Sequence, residues 1–316
     1  REYFWSEIEK SRGVYDWSTI DADIAKLGAA KKKLAIIIKY KYQISDTESS
    51  LPQYILNFSN VWINGVSVPP YFEQGKPGDG QFNQGQHANF GHPRTQNRFK
   101  ALLTALAARY DSNPNVVSLS FIETATGSTV TNNDTQEDLF LNVVMEIERH
   151  ASCALLHTPV FQNLNFPRGR LADFAENFKT YGVGLGGPDV FAGSMIDPEN
   201  ALGYNVPGKP KGIYHYYPVL SGIIPIGQQV HMANYLYPTR ESMLTSPPTP
   251  HNLSPSGSVS KLYDFSMQQL KPNYMFWWAG GSADDYGNAL RARLNNDGLP
   301  LLTGCPSVYG NRCTAI

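Results

Sequence analysis

The chain has 316 residues, 41% of them hydrophobic, which is enough for one large core and a single domain. Lys and Arg total 26 against 27 Asp and Glu, so the formal net charge of −1 gives no electrostatic reason to bind nucleic acid or an anionic membrane. No stretch approaches the roughly 20 consecutive apolar residues that a membrane helix requires, and the expected ligand is uncharged or modestly charged.

The chain opens on a short β-prone run, residues 1–5, followed by a turn at Arg12-Gly13. Asp16 and Ser18 are N-cap candidates ahead of Ile20, Ile24 and Leu27 at helical spacing. An almost unbroken apolar run at 34–40 reads as a strand buried on both faces. The stretch 42–93 is rich in Gly, Pro, Asn and Gln, with Trp62, Tyr71, Phe72, Phe82 and Phe90 embedded in it. Loops this long are uncommon unless they form a lid or binding surface, so it is expected to build part of a substrate cleft. Thr95 caps an amphipathic helix through Phe99, Leu102, Leu103, Leu106 and Tyr110, which Ser112-Asn113-Pro114 ends. Residues 116–123 read as the next strand and 135–151 as the next helix. The alternation continues with strand 159–165, helix 170–181, and a strand from Val183 into Gly186-Gly187-Pro188-Asp189. Strand 223–232, helix 259–270, strand 274–278 and helix 283–294 complete it.

This alternation predicts an α/β fold, a parallel sheet covered by helices, and the number of repeats favours a closed (β/α)8 barrel over an open doubly wound sheet. No Gly-rich phosphate-binding turn follows any strand, so no nucleotide cofactor is expected. His87 and His92 fall in the long loop, and His215 and His231 lack Cys or carboxylate neighbours at ligand spacing, which argues against a metal site. No Gly-x-Ser-x-Gly elbow supports Ser-His-Asp chemistry.

Aromatics make up 12% of the chain and charged residues only 17%. Flat rings bury the C–H face of a pyranose while amides and carboxylates serve its hydroxyls, although an aromatic-rich core would give the same composition. Cys153 lies in a helical pattern and reads as a buried thiol. Cys305 and Cys313 stand close together in a Gly/Pro/Asn-rich tail and could close a small disulfide loop, the one pointer to an oxidising, extracellular setting.

Phe4-Trp5-Ser6-Glu7-Ile8-Glu9, then Gly13-Val14-Tyr15-Asp16-Trp17 and Ile20-Asp21, combine two aromatics, a turn glycine and a helix start at fixed spacing. The run resembles the W-x-x-(I/L)-E-x-x-x-G-x-Y-D-W-x-x-(I/L)-D pattern after the second barrel strand of clan A (β/α)8-barrel glycoside hydrolases, such as families 5, 35 and 42, without a clear match to one. The resemblance implies that 34–41 is the third barrel strand and 116–123 the fourth, whose C-terminal end carries the clan's acid/base glutamate; Glu123 stands there. The clan's usual Asn-Glu is Ile122-Glu123 here, which leaves recognition of a sugar 2-hydroxyl unassigned. On this count the first strand and its helix are absent. The expectation is that this chain is part of a longer one, or that residues 299–316 or a neighbouring chain fill the gap.

Glycoside hydrolysis uses one carboxyl group to protonate the leaving oxygen and a second to attack the anomeric carbon or activate water, about 5 Å apart for retention. The resemblance gives Glu123 the first role, and a buried position at a strand mouth would raise its pKa and keep it protonated near neutral pH. The clan's nucleophile ends the seventh strand, 224–231 here, where no carboxylate occurs. Alternation puts Gln229 and His231 on one face and Gln228 on the other, with Gln229 the first choice for the nucleophile position and Gln228 the second. Three readings stay open: a Glu→Gln replacement that traps substrate, a sugar-binding barrel that has lost its chemistry, or a second carboxylate elsewhere, such as Asp189. Other strand ends offer Tyr40, Asn163, Asn165, His215, Tyr216, His231, Trp277 and Trp278 for substrate binding. Of the adjacent Trp277 and Trp278, only one can be a platform under a sugar. The sequence thus predicts one catalytic domain over 1–316, a retaining endo-glycoside hydrolase of a polysaccharide or oligosaccharide with no cofactor and no metal. The alternative is a non-catalytic carbohydrate-binding barrel.

Overall fold

The computed structural model describes residues 1–41, 50–74, 85–124, 134–193, 208, 210–239, 242–243, 245–278 and 284–297, in two compact units, the first built on Arg1–Val160 and the second starting at Phe161. In the first unit, β1 (Glu2–Phe4) runs through a helical turn, α1 (Trp5–Ile8), into an antiparallel ribbon of β2 (Glu9–Ser11) and β3 (Val14–Tyr15), and then into α2 (Ser18–Ala29). The residues of the Trp/Glu/Gly/Tyr pattern meet around Glu9, which is fully buried. Its carboxylate accepts the Trp5 indole N–H at 2.7 Å and the Gly13 amide at 2.8 Å, and pairs with the Arg98 guanidinium. Arg98 also donates to the hydroxyls of Tyr54 at 3.2 Å and Tyr15 at 3.3 Å. A buried carboxylate is tolerated when it is paired and fully hydrogen-bonded, and Glu9 is. The pattern is therefore a structural staple.

β4 (Leu34–Lys39) pairs in parallel with β1, from Glu2↔Ile37 to Phe4↔Lys39. Leu34, Ile36 and Ile38 are buried and Ala35, Ile37 and Lys39 half-buried, so this strand has one sealed face instead of the two expected from its apolar run. Residues 50–92 are not the single loop expected. They hold a helical turn, α3 (Gln53–Leu56), and two hairpins, β5 (Val61–Ile63) with β6 (Val66–Val68) and β7 (Tyr71–Gln74) with β8 (Gly85–Ala88). The first hairpin turns on Asn64-Gly65, both at positive φ (50° and 79°), as a two-residue I′ turn demands. Trp62 is exposed on it, whereas Phe72, His87 and Phe90 are buried against Phe140, with Tyr40 on the same cluster. His87 is thus a core residue. His92 caps the next helix, its Nδ1 accepting the Thr95 amide.

That helix, α4 (Pro93–Tyr110), buries Phe99, Leu102, Leu103, Leu106 and Tyr110 as their spacing predicts. β9 (Val116–Phe121) pairs in parallel with β4, from Leu34↔Val116 to Ile38↔Phe121, and α5 (Asp134–Ala154) packs on α4. Asp111, at the end of α4, accepts the backbone amides of Leu156, His157 and Thr158, each at 2.9 Å, and so fixes the approach to the following strand. Cys153 is exposed on α5, not the buried thiol expected.

The second unit carries β10 (Val160–Asn163, whose first residue closes the first unit), α6 (Leu171–Tyr181), β11 (Gly184–Gly187), α7 (Ile213–Leu220), β12 (Ile226–Val230), α8 (Met232–Leu236), α9 (Pro255–Phe265), β13 (Tyr274–Trp277) and α10 (Asp284–Asp297). β10 pairs with β11, β11 with β12 and β12 with β13, all parallel, so the strand order follows the chain within each unit, β1-β4-β9 in the first and β10-β11-β12-β13 in the second. The ring of Phe161 lies where a Cβ on Gly184 or Gly227 would be, 2.5 and 3.1 Å from those positions, and Asn163 Oδ1 fills the space over Gly186. These contacts assign the faces. One carries Phe161, Asn163, Gly184, Gly186, Gly227, Gln229, Tyr274 and Phe276, with the Phe161 and Tyr274 rings 5.1 Å apart. The other carries Gln162, Leu185, Gly187, Gln228 and Trp277 and lies under helices, because the Tyr217 hydroxyl of α7 occupies the space over Gly187 and Tyr235 of α8 stacks on Trp277 at 6.1 Å. Among the described residues no helix is long and apolar enough to cross a membrane. Phe82, Cys305, Cys313 and the 299–316 tail lie outside the described residues.

Candidate functional site

The candidate residues fall into two groups, one in each unit. In the first, Glu123 follows β9 by two residues and Lys41 follows β4 by two. The Lys41 Nζ donates to Glu123 Oε1 at 3.4 Å. The lysine side chain is only 2% exposed and the glutamate 24%, so Glu123 is not sealed in an apolar pocket as expected; its described partner is a buried amine. Burial pushes the Lys41 pKa down from the ordinary lysine value, and the charge of Glu123 opposes that shift. Behind Lys41, His87 forms an antiparallel bridge with it, and full burial holds the His87 pKa well below the usual 6.5. Ile122 is buried, and its side chain carries no polar atom at the position where the family resemblance expects Asn.

Tyr40, expected to bind substrate, is 1% exposed, and its ring packs on Phe90 at 4.8 Å and Phe99 at 5.5 Å. It belongs to the core. His215 and Tyr216, expected at a strand end, sit on α7 in a shallow groove shared with Ala175, Glu176 and Lys179 of α6. They lie on the surface of a helix and not on a strand.

In the second unit, Gln229 and His231 share one face, as alternation predicts, with Gln229 Oε1 and His231 Nε2 3.1 Å apart. The His231 ring lies 6.1 Å from that of Trp278, which is 54% exposed. The Tyr235 hydroxyl holds the Trp278 carbonyl at 3.0 Å while its ring covers Trp277. Trp278 is therefore free to present a ring on the Gln229 face, and Trp277 is packing. The His231 amide donates to Asn234 Oδ1 at 2.7 Å, and Asn234 Nδ2 donates to Asp189 Oδ1 at 3.2 Å, which links Asp189 to the same corner. Asn163 and Asn165 are each 5% exposed; Asn163 stands over Gly186 on the Gln229 face. Gln228 is fully buried on the opposite, helix-covered face, and its carboxamide has no hydrogen-bond partner among the described residues. This position excludes Gln228 from the face that carries Gln229.

Lys41 and Asn234 were not singled out from the sequence. Lys41 had a signal, a lysine at the mouth of an apolar strand adjacent to the one that ends in Glu123; Asn234 had none, because the strand expected from the sequence runs to Met232 with no element expected directly after it. Chemically, the first group offers a carboxyl group coupled to an amine, and the second offers an amide, an imidazole and an exposed indole. Among the described residues no group of three or more His, Cys, Asp or Glu side chains is arranged to hold a metal ion.

No protein-family model matches the chain, and no curated protein matches it. Among solved structures the fold is matched by (β/α)8-barrel glycoside hydrolases, the fold class that the sequence predicted. Xylanase10C from Cellvibrio japonicus, a variant in complex with xylopentaose, matches with a TM-score of 0.52 at 9% identity over 99% of this chain and 59% of that one. The beta-galactosidase of the psychrophilic Marinomonas ef1 matches with a TM-score of 0.51 at 12% identity over 87% of this chain and 48% of that one. At such identities the likeness concerns the fold alone, and the chain spans only 59% of the xylanase and 48% of the beta-galactosidase.

Proposed function

We propose that the chain is a glycoside hydrolase of the retaining, endo-acting type on a polysaccharide or oligosaccharide, with Glu123 as acid/base. The observation that carries this reading is the position of Glu123, a part-exposed carboxyl group just past the C-terminal end of a parallel strand, the end at which barrel enzymes put their catalytic groups. Glu123 would protonate the leaving oxygen. Gln229 stands at the nucleophile position, and a carboxamide can hydrogen-bond a sugar without forming the glycosyl ester that retention needs. Trp278 would lie under a sugar ring, with Asn163 and His231 as hydroxyl partners. Asp189 is the remaining candidate for a second carboxylate.

A second reading, a carbohydrate-binding barrel without turnover, is favoured by the Gln229–His231 bond, a polar pair on the strand-end face that includes no carboxylate. Reducing-sugar release from a panel of polysaccharides separates the two. Gln229→Glu is expected to release sugar, and adding Glu123→Ala to lower that release by about 100-fold or more. Gln228→Glu is expected to stay inactive and to be less stable, because it buries a charge under helices. Release by the unaltered chain would make Asp189 the second carboxylate. Glycan binding with no release by any variant would favour the second reading.

A further inference from the structure

The backbone on both sides of the Lys41–Glu123 contact is fixed. Lys41 bridges His87, the Ala88 amide donates to the Tyr40 carbonyl at 2.9 Å, and Tyr40 is locked among Phe90, Phe99 and His87. On the other strand, the Ile38↔Phe121 register brings the end of β9 alongside the end of β4. The amine is almost wholly buried, yet it points at a carboxyl group that reaches solvent. Burying an ammonium costs free energy that packing alone would not repay, so a methionine would serve a purely structural role at least as well. We propose that Lys41 is a positioning residue for Glu123: its amine, fixed by the fold beside Oε1, aims the carboxyl group and sets the pH at which that group carries a proton.

The inference rests on the acid/base reading of Glu123. The pair has two forms with the same number of protons, ammonium with carboxylate and neutral amine with carboxylic acid, and passage between them moves one proton from Nζ to Oε1 with no other bond changed. Burial of the amine weakens the charged form relative to water, the direction in which Lys41 is shifted. Among the described residues, other titratable groups acting on the pair include Lys39 on β4, whose charge disfavours a second ammonium, and His87 on β8, which burial keeps neutral. The ammonium form of Lys41 favours the carboxylate, so the amine sets how far the pH must fall before Glu123 carries the proton it donates.

The test is a reciprocal titration by carbon-13 NMR. The Lys41 side chain is followed in the unaltered chain and in Glu123→Gln, and the Glu123 carboxyl in the unaltered chain and in Lys41→Met. Loss of Glu123 is expected to move the Lys41 titration to lower pH, and loss of Lys41 to move the Glu123 titration to higher pH, each by about one unit or more. Linkage requires both, so titrations that stay in place, or a shift in one alone, would overturn the inference. If Lys41→Met does not fold, the Glu123→Gln arm decides: a Lys41 titration left in place overturns the inference, and a downward shift supports it. No arm requires turnover. Coupling without hydrolysis would therefore count against the glycosidase reading alone, and hydrolysis by Gln229→Glu without coupling against this inference alone. Where Gln229→Glu is active, Lys41→Met in that background is expected to lower kcat by about 10-fold or more and to move the alkaline limb of the pH profile, which the protonated Glu123 sets, to higher pH, with KM little changed; an unmoved limb would overturn it.

Discussion

Glu9 and Glu123 each face a cation inside the first unit, but the two pairs are built differently. Glu9 is fully buried, takes three donors, and its cation is an arginine whose guanidinium bridges it to two tyrosines. Glu123 is part-exposed and its described cation is a lysine buried deeper than the carboxylate itself. Arginine cannot shed its proton in a protein, whereas a buried lysine can, so one pair is committed to a single charge state and the other is not. The sequence pattern that carried the family resemblance marks the committed pair. It reports how the first unit is stapled together, and the proposed chemistry lies in the uncommitted pair.

Removal of the two carboxylates tests this contrast most strongly. Glu9→Ala leaves Arg98 and the Trp5 indole without their acceptor and is expected to cost about 3–5 kcal/mol in urea denaturation, while Glu123→Ala, whose lysine can go neutral, is expected to cost about 1–2 kcal/mol. Equal losses would break the comparison. Next in size is Arg98→Lys, which keeps the charge but loses the fork that reaches Glu9, Tyr15 and Tyr54 together; about 1.5–3 kcal/mol is expected from the same measurement.

Acid sensitivity sharpens the contrast further. His87, behind Lys41, has a folded pKa well below 6.5, so as pH falls through 6.5 the unfolded chain takes up a proton that the folded one refuses. Stability should then fall with decreasing pH by up to about 1.4 kcal/mol per unit, and His87→Phe should remove that part of the slope. Lys41 acts with the same sign in a higher window: its folded pKa is lowered, so stability is lost as pH falls from about 10.5 until the folded amine is protonated. Comparison of Lys41→Met with the unaltered chain between pH 7 and 10 isolates that contribution. The smallest effect is expected at Trp62, exposed on its hairpin, where Trp62→Ser should change stability by about 0.5 kcal/mol or less.

The repeating strands and helices were legible because each strand is a short apolar run and helices such as α4 show a clean 3.6-residue period. α7 was not, since it carries Pro218 and a cluster of tyrosines in place of an aliphatic stripe. The β5–β6 hairpin had a clear signal in Val-Trp-Ile-Asn-Gly-Val-Ser-Val, hidden by the loop-like composition around it. At the site, alternation was enough to separate Gln229 from Gln228, but which of the two faces lies under helices depended on where the Phe161 and Tyr217 side chains rest. Burial misled the reading of Tyr40, because the position that continues β4 toward the strand mouth is already sealed by the rings of the second hairpin and α4.

Phe161 lies across a floor of glycines on the face that carries Gln229, and bulk on that floor is therefore a shared quantity. A side chain at position 184 or 227 can be admitted only if residue 161 gives up an equal volume, so these positions should vary together among homologous chains, large with none and small with small. A shorter residue at 161 would open a continuous trough along β11 and β12 instead of an isolated hole, which makes that one position a handle for reshaping the floor.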